Sequence, residues 1–189
     1  LGNNWGILFS HPKDFTPVCT TELGYMAKIE NEFTSRNCKL IGLSVDSVED
    51  HQKWKKDIEE TQNATVNYPL IADEDLKIAK LYNMLPADDI NDGKRTALSN
   101  STVRSIFLID PDKKIRMTLT YPMTTGRNFD ELLRVLDSVQ LTSKQKVATP
   151  ANWNQKNDVI IIPAVSDEEA KELFGKFTKI KPYLRYTKV

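Results

Sequence analysis

The sequence predicts an α/β fold, with a central mixed sheet flanked by helices and followed by a C-terminal extension. Three observations predict it. Short apolar runs alternate with stretches of helical periodicity over residues 5–85. A hairpin pattern and then an amphipathic stretch occupy 103–139, and the composition turns polar after Leu141. Alternation of this kind is what a sheet covered by helices requires.

The apolar run 5–9, stopped by Ser10-His11-Pro12, reads as a buried strand. A Pro-framed loop follows, and 20–33 reads as a helix with Leu23, Met26, Ala27 and Phe33 at helical spacing. The run 39–45 is a second buried strand. Ser47 with Asp50 forms a capping signal for a helix carrying Trp54 and Ile58. A short strand at 68–72 and a helix at 75–85 come next, then a polar surface loop at 86–102. Strands at 103–109 and 115–121 flank the turn Pro111-Asp112-Lys113-Lys114. Asn128 and Glu131 open a helix with Phe129, Leu132, Leu133, Leu136 and Val139 on one face. Residues 1–141 thus form one domain. Residues 142–189 form an appended segment, with a lone strand at 159–162 and Ala170, Leu173, Phe174 and Phe177 at helical spacing. That segment is too small for a core of its own.

Composition narrows the function. The 189 residues carry 26 basic and 26 acidic side chains, so no net charge draws the chain to nucleic acid or anionic membrane. No apolar run approaches the roughly 20 residues of a membrane span. Two cysteines are too few for a disulfide scaffold, and with two histidines they show no zinc-like spacing. Free thiols in a reducing, cytoplasmic location are expected.

Cys19 stands where the loop meets a helix start. Unpaired N–H groups and the positive end of the helix dipole favour a thiolate there. Pro12 and Pro17 stiffen the approach, and Thr16 can turn its hydroxyl toward the same place. Placement alone leaves Cys19 evenly divided between a reactive thiol and a small buried hydrophobe. Cys38, leading into an apolar strand, reads as structural.

The run His11-Pro12-Lys13-Asp14-Phe15-Thr16-Pro17-Val18-Cys19-Thr20-Thr21-Glu22-Leu23 resembles the Pro-x-x-x-Thr-x-x-Cys active-site motif of peroxiredoxins. In detail it is similar to the 1-Cys, peroxiredoxin-6-like branch. Ser44-Val45-Asp46-Ser47-Val48-Glu49-Asp50-His51, the run from Tyr121 to Glu131, Val147-Ala148-Thr149-Pro150-Ala151-Asn152-Trp153 and Tyr183-Leu184-Arg185-Tyr186 extend the likeness over nearly the whole chain. The resemblance implies a thioredoxin-like fold, with further N-terminal strands before Trp5, and reduction of hydrogen peroxide and organic or phospholipid hydroperoxides. It makes Cys19 the peroxidatic thiol, Thr16 the peroxide-binding hydroxyl and Arg104 the cation beside the thiolate. Pro12 would shield the thiol, and the Val18 backbone would hold substrate oxygen. Glu22 and Arg127 would orient the arginine. His11 is either a pocket-edge group or a strand-end histidine bonded to backbone.

The resemblance also implies an external thiol reductant, with glutathione, in some members delivered by a glutathione transferase, as the candidate, because Val147-Ala148-Thr149-Pro150 lacks the resolving cysteine of 2-Cys relatives. No metal or prosthetic cofactor is implied. A homodimer is, formed through 115–121 and 142–189. The stretch Gly2-Asn3-Asn4-Trp5-Gly6 has Asn4 where lipase-active relatives carry serine, so no lipase activity by that route is expected. A non-catalytic chaperone or interaction protein on the same fold is the alternative. A thiol–disulfide oxidoreductase is disfavoured, since Cys19-Thr20-Thr21-Glu22 lacks a second thiol.

Overall fold

The computed structural model describes residues 1–86 and 101–189. The loop predicted at 86–102 lies largely outside them. The described residues fall into two units, Leu1–Asn128 and Phe129–Val189.

In the first unit, β1 (Trp5–Ser10) is buried along its whole length and occupies the centre of a five-stranded sheet. It pairs in parallel with β2 (Cys38–Ser44), which pairs in parallel with β3 (Leu70–Ala72). On its other side β1 runs antiparallel to β4 (Arg104–Ile109), and β4 forms a hairpin with β5 (Ile115–Tyr121) at the edge. The order β3-β2-β1-β4-β5 is that of a thioredoxin-like mixed sheet. Leu8, Leu43 and Phe107 of the three central strands pack with Ala79 and Met84. Phe9 meets the edge of the Tyr68 ring at 5.7 Å, and the Tyr68 hydroxyl donates to the Leu23 carbonyl.

The register has a functional consequence. Phe9 lies opposite Ile106, so the end of β1 lies beside the start of β4. The Cys19 loop leaves β1 at that end, and Arg104 opens β4 there. Two residues far apart in sequence are thereby brought to one rim of the sheet.

The predicted helix at 20–33 is two helices, α1 (Pro17–Lys28) and α2 (Glu30–Ser35). It starts earlier than its apolar spacing indicates because Pro17 has the fixed φ and missing N–H that suit a first helical position. Ile29, at φ −103° and ψ 11°, separates the two. The capping signal at Ser47 is present: its hydroxyl accepts from the Asp50 N–H at 3.1 Å and opens α3 (Val48–Gln62). The predicted helix at 75–85 shrinks to α4 (Lys77–Leu81). The N–H groups of Ile78 and Ala79 in its first turn are taken by the Asp73 carboxylate, and that of Lys77 by Asp75.

In the second unit, α5 (Phe129–Lys144) runs through the position where the composition changes. The strand predicted to stand alone is β7 (Val159–Ile161), which pairs on both sides. With β6 (Val147–Ala148), β8 (Thr178–Lys181) and β9 (Leu184–Thr187) it forms an antiparallel sheet in the order β6-β7-β9-β8. The flanking strands have two to four residues, and β8 and β9 carry lysine or arginine, so no two-residue apolar period marks them. Val147, Trp153 and Val159 form one small buried cluster. Ile161, Val165 and Ala170, the last from α6 (Asp167–Phe174), form another. Among the described residues no helix is long and apolar enough to cross a membrane.

Candidate active site

Cys19 is the third residue of α1 and is fully buried. Thr16 is the N-cap, extended at φ −118° and ψ 147°. The backbone N–H groups of Val18 and Cys19 lie in the first turn, where no helical carbonyl precedes them, so they can face a substrate oxygen. Thr16 does not spend its side chain on the helix. Its hydroxyl donates to the Lys13 carbonyl at 2.7 Å, which leaves the Thr16 oxygen free to accept. Thr16 and Val18 are half-buried and Pro17 is exposed, so solvent reaches the first turn although the thiol is covered. Pro12 is buried at the start of the loop.

Glu22 lies one turn beyond Cys19 on the same helix face. Its carboxylate is satisfied by four donors. Oε2 accepts from Arg104 Nη1 at 2.7 Å and from Arg127 Nη2 at 2.6 Å. Oε1 accepts from Arg127 Nε at 3.0 Å and from the Arg127 backbone N–H at 2.8 Å. Arg104 Nη1 also reaches Cys19 Sγ at 3.3 Å. Its remaining donors, Nε and Nη2, both bond the Met123 carbonyl, at 2.9 and 2.6 Å. Arg127, which sequence alone could place at the surface beside a helix start, is buried. It donates to the Ser10 carbonyl at 2.8 Å and its guanidinium sits 5.3 Å from the Phe9 ring centroid. Two guanidinium charges and one carboxylate leave a surplus positive charge next to the sulfur. A thiolate at Cys19 makes the buried set neutral.

His11 belongs to a different cluster. Its side chain bonds a carboxylate rather than backbone: Nε2 lies 2.7 Å from Asp14 Oδ1. His51 Nδ1 lies 2.6 Å from Asp14 Oδ2, and His51 Nε2 lies 3.3 Å from the Ile71 carbonyl. Both partners of His51 are acceptors, an arrangement that favours the protonated ring. Burial works against that charge, but the bond and charge of Asp14 outweigh it and raise the His51 pKa. Burial would likewise push the Asp14 carboxyl up, but the two histidines hold it below its ordinary value. For His11 burial dominates and lowers the pKa. Asp14, Ser44, Asp46 and His51 all lie in the motifs, but nothing in sequence alone gave them roles. They are separated by up to 37 positions, and only the fold brings them together.

Cys38 opens β2, is buried, and has its thiol pushed up to about 12 by burial. A reactive thiol needs a nearby positive field. Only Cys19 has an arginine at hydrogen-bond distance among the described contacts.

The AhpC/TSA family matches residues 1–118, and the C-terminal domain of 1-Cys peroxiredoxin matches 138–176. The 1-Cys peroxiredoxin of Dictyostelium discoideum is 57% identical over 188 residues, covering 99% of this chain and 75% of that one. The chain belongs to the 1-Cys peroxiredoxins of the AhpC/TSA family. It is therefore a thiol-dependent peroxidase. The mitochondrial peroxiredoxin PRX1 of Saccharomyces cerevisiae is 56% identical over 192 residues, covering 100% of this chain and 72% of the relative. A solved yeast mitochondrial 1-Cys peroxiredoxin, described for thiol resolution via glutathione/thioredoxin systems, superimposes with a TM-score of 0.90 at 55% identity. It covers the whole chain and 88% of its own. A cysteine-to-serine mutant of peroxiredoxin 6 from Arenicola marina gives 0.91 at 47% identity, covering 100% and 87%.

The yeast relative corrects the expected cytoplasmic location, since it is named mitochondrial. Free thiols fit a reducing environment, which more than one compartment provides. They carry no address.

Replacing Glu22 by Gln deprives two buried guanidinium groups of their carboxylate partner. Urea unfolding should show E22Q destabilised by about 3–5 kcal/mol, the usual loss when one partner of a buried ion pair is removed. An unchanged unfolding free energy would show that the arginines find other compensation.

Proposed function

We propose that Cys19 carries out the peroxidase reaction, with Thr16 and Arg104 as the groups that act on the peroxide. The observation that carries this reading is the 3.3 Å contact from Arg104 Nη1 to Cys19 Sγ, made by a guanidinium whose other donors are already committed. The Cys19 thiolate attacks the terminal oxygen of R–O–O–H. The S–O bond forms as the O–O bond breaks, and the leaving oxygen departs as an alkoxide or hydroxide that takes up a proton. Cys19 becomes a sulfenic acid and the peroxide becomes an alcohol or water. Thr16 accepts the peroxide O–H, while the Val18 and Cys19 N–H groups and Arg104 stabilise charge on the oxygens. Glu22 and Arg127 orient Arg104, Pro12 keeps water from the sulfur, and His11 supports the loop.

The sulfenic acid is reduced by an external thiol. Two thiol equivalents restore Cys19, releasing water and leaving the reductant as a disulfide. Glutathione, directly or through a glutathione transferase, is the proposed donor, supported by the glutathione/thioredoxin description of the yeast protein. That relative's name also supports an organellar address. Residues 142–189 and the exposed edge strand β5, with Ile115 half exposed, are the proposed homodimer surfaces.

Stopped-flow peroxide reduction should fall by about 10²–10³-fold in Thr16→Val and Arg104→Ala, the usual effect of removing one preorganised donor or acceptor. Wild-type rates in folded variants would refute those roles. One equivalent of peroxide should give a trappable sulfenic acid on Cys19, and Cys38→Ser should turn over normally with added thiol. An intramolecular Cys19–Cys38 disulfide in the mass spectrum would instead make Cys38 the resolving group. Sedimentation at micromolar concentration should give a dimer mass, and a monomer would remove the proposed interface.

A further inference from the structure

The peptide unit joining Lys13 and Asp14 is bonded at both ends. Its carbonyl accepts the Thr16 hydroxyl at 2.7 Å. Its N–H donates to Asp46 Oδ2 at 2.9 Å. A peptide is planar and rigid, so its carbonyl cannot swing away from Thr16 without also moving the N–H off Asp46.

Asp46 is itself held. The Ser44 hydroxyl donates to the same Oδ2 at 2.8 Å, and the Asp46 backbone N–H returns a bond to Ser44 Oγ at 3.2 Å. Ser44 ends β2, so the anchor is fixed to the sheet. The Asp14 side chain is clamped from the other direction by His11 and His51. The peptide therefore has no freedom to swivel.

This matters for a hydroxyl with one proton. A threonine hydroxyl can offer its proton or its lone pairs to a substrate. With the proton committed to the Lys13 carbonyl, the Thr16 oxygen can only accept. A hydroperoxide reacting at its terminal oxygen carries the O–H that such an acceptor binds. A free Thr16 rotor would donate part of the time and hold the peroxide in the wrong sense.

We infer that Asp46 is a positioning residue for peroxide reduction, acting through the Lys13–Asp14 peptide to present the Thr16 oxygen as an acceptor. The inference rests on the reading of Thr16 as the peroxide-binding hydroxyl. Asp46 reaches this role from the C-terminal side of β2, well apart in sequence from the catalytic loop, and makes no contact with the sulfur in the bonds that define its position.

The test is a double-mutant cycle read as the second-order rate constant for hydrogen peroxide reduction. Asp46→Ala should be slower by about tenfold, the scale of one hydrogen bond. Asp46→Asn keeps an oxygen acceptor for the Asp14 N–H and should stay within about twofold of wild type. Thr16→Val/Asp46→Ala should be no slower than Thr16→Val, because the inference routes the effect of Asp46 on the rate through that hydroxyl. A wild-type rate in D46A overturns the inference. So does a double variant that loses the full D46A factor again, and so does D46N as slow as D46A. A wild-type rate in T16V instead overturns the reading of Thr16 itself, so the two failures are distinct. Circular dichroism reports folding. If D46A does not fold, Ser44→Ala takes its place: a loss of about threefold that disappears in the Thr16→Val background supports the inference, and a full rate overturns it.

Discussion

Two guanidinium groups, those of Arg104 and Arg127, are buried at the rim where β1 ends and β4 begins, and the carboxylate of Glu22 sits between them. Taking such ions out of water costs several kcal/mol each unless the geometry returns it. Here the return is complete for the carboxylate, which accepts four hydrogen bonds. The arrangement decides much else. It ties α1 to β4 and to the segment after β5, and it leaves Arg104 aimed at Cys19 with no rotamer freedom.

A second constraint acts on the loop between β1 and α1. Phe15 adopts φ 54°, a region that residues with a Cβ rarely enter. The chain reverses there so that Thr16 can cap a helix and still direct its hydroxyl to Lys13. Strain of this kind persists only where surrounding contacts over-determine the backbone. Asp14 supplies them, through both histidines and through its N–H to Asp46. The His11–Asp14–His51 cluster therefore braces the loop that carries Thr16 and Cys19. Its separations of 2.6 and 2.7 Å are those of hydrogen bonds, with the carboxylate between the rings.

The two cysteines show how position governs thiol chemistry. Both are buried. Cys38 faces no compensating charge, and burial favours its neutral form. Cys19 has equal burial but a helix N-terminus and an arginine beside it. That difference is the ground for proposing Cys19 rather than Cys38 as the working thiol.

The alternation of strands and helices, the β4–β5 hairpin and the Ser47 cap were legible in the sequence, because each depends on local periodicity or on a contiguous motif. The short strands β6, β8 and β9 were not, since two to four residues carry no period. The broken helix at Ile29 and the early start at Pro17 were also decided by backbone geometry rather than apolar spacing. By itself the sequence, through the peroxiredoxin-like motif that frames Cys19 with Pro12 and Thr16, made Cys19 rather than Cys38 the thiol to expect in chemistry. Only the tertiary structure decided what surrounds it. The antiparallel register of β1 and β4 carries Arg104 across 85 positions to the sulfur, and the ends of β1, β2 and β3 gather Asp14, Asp46 and His51 behind the loop. Those contacts depend on strand pairing between distant segments, and no local pattern encodes the pairing.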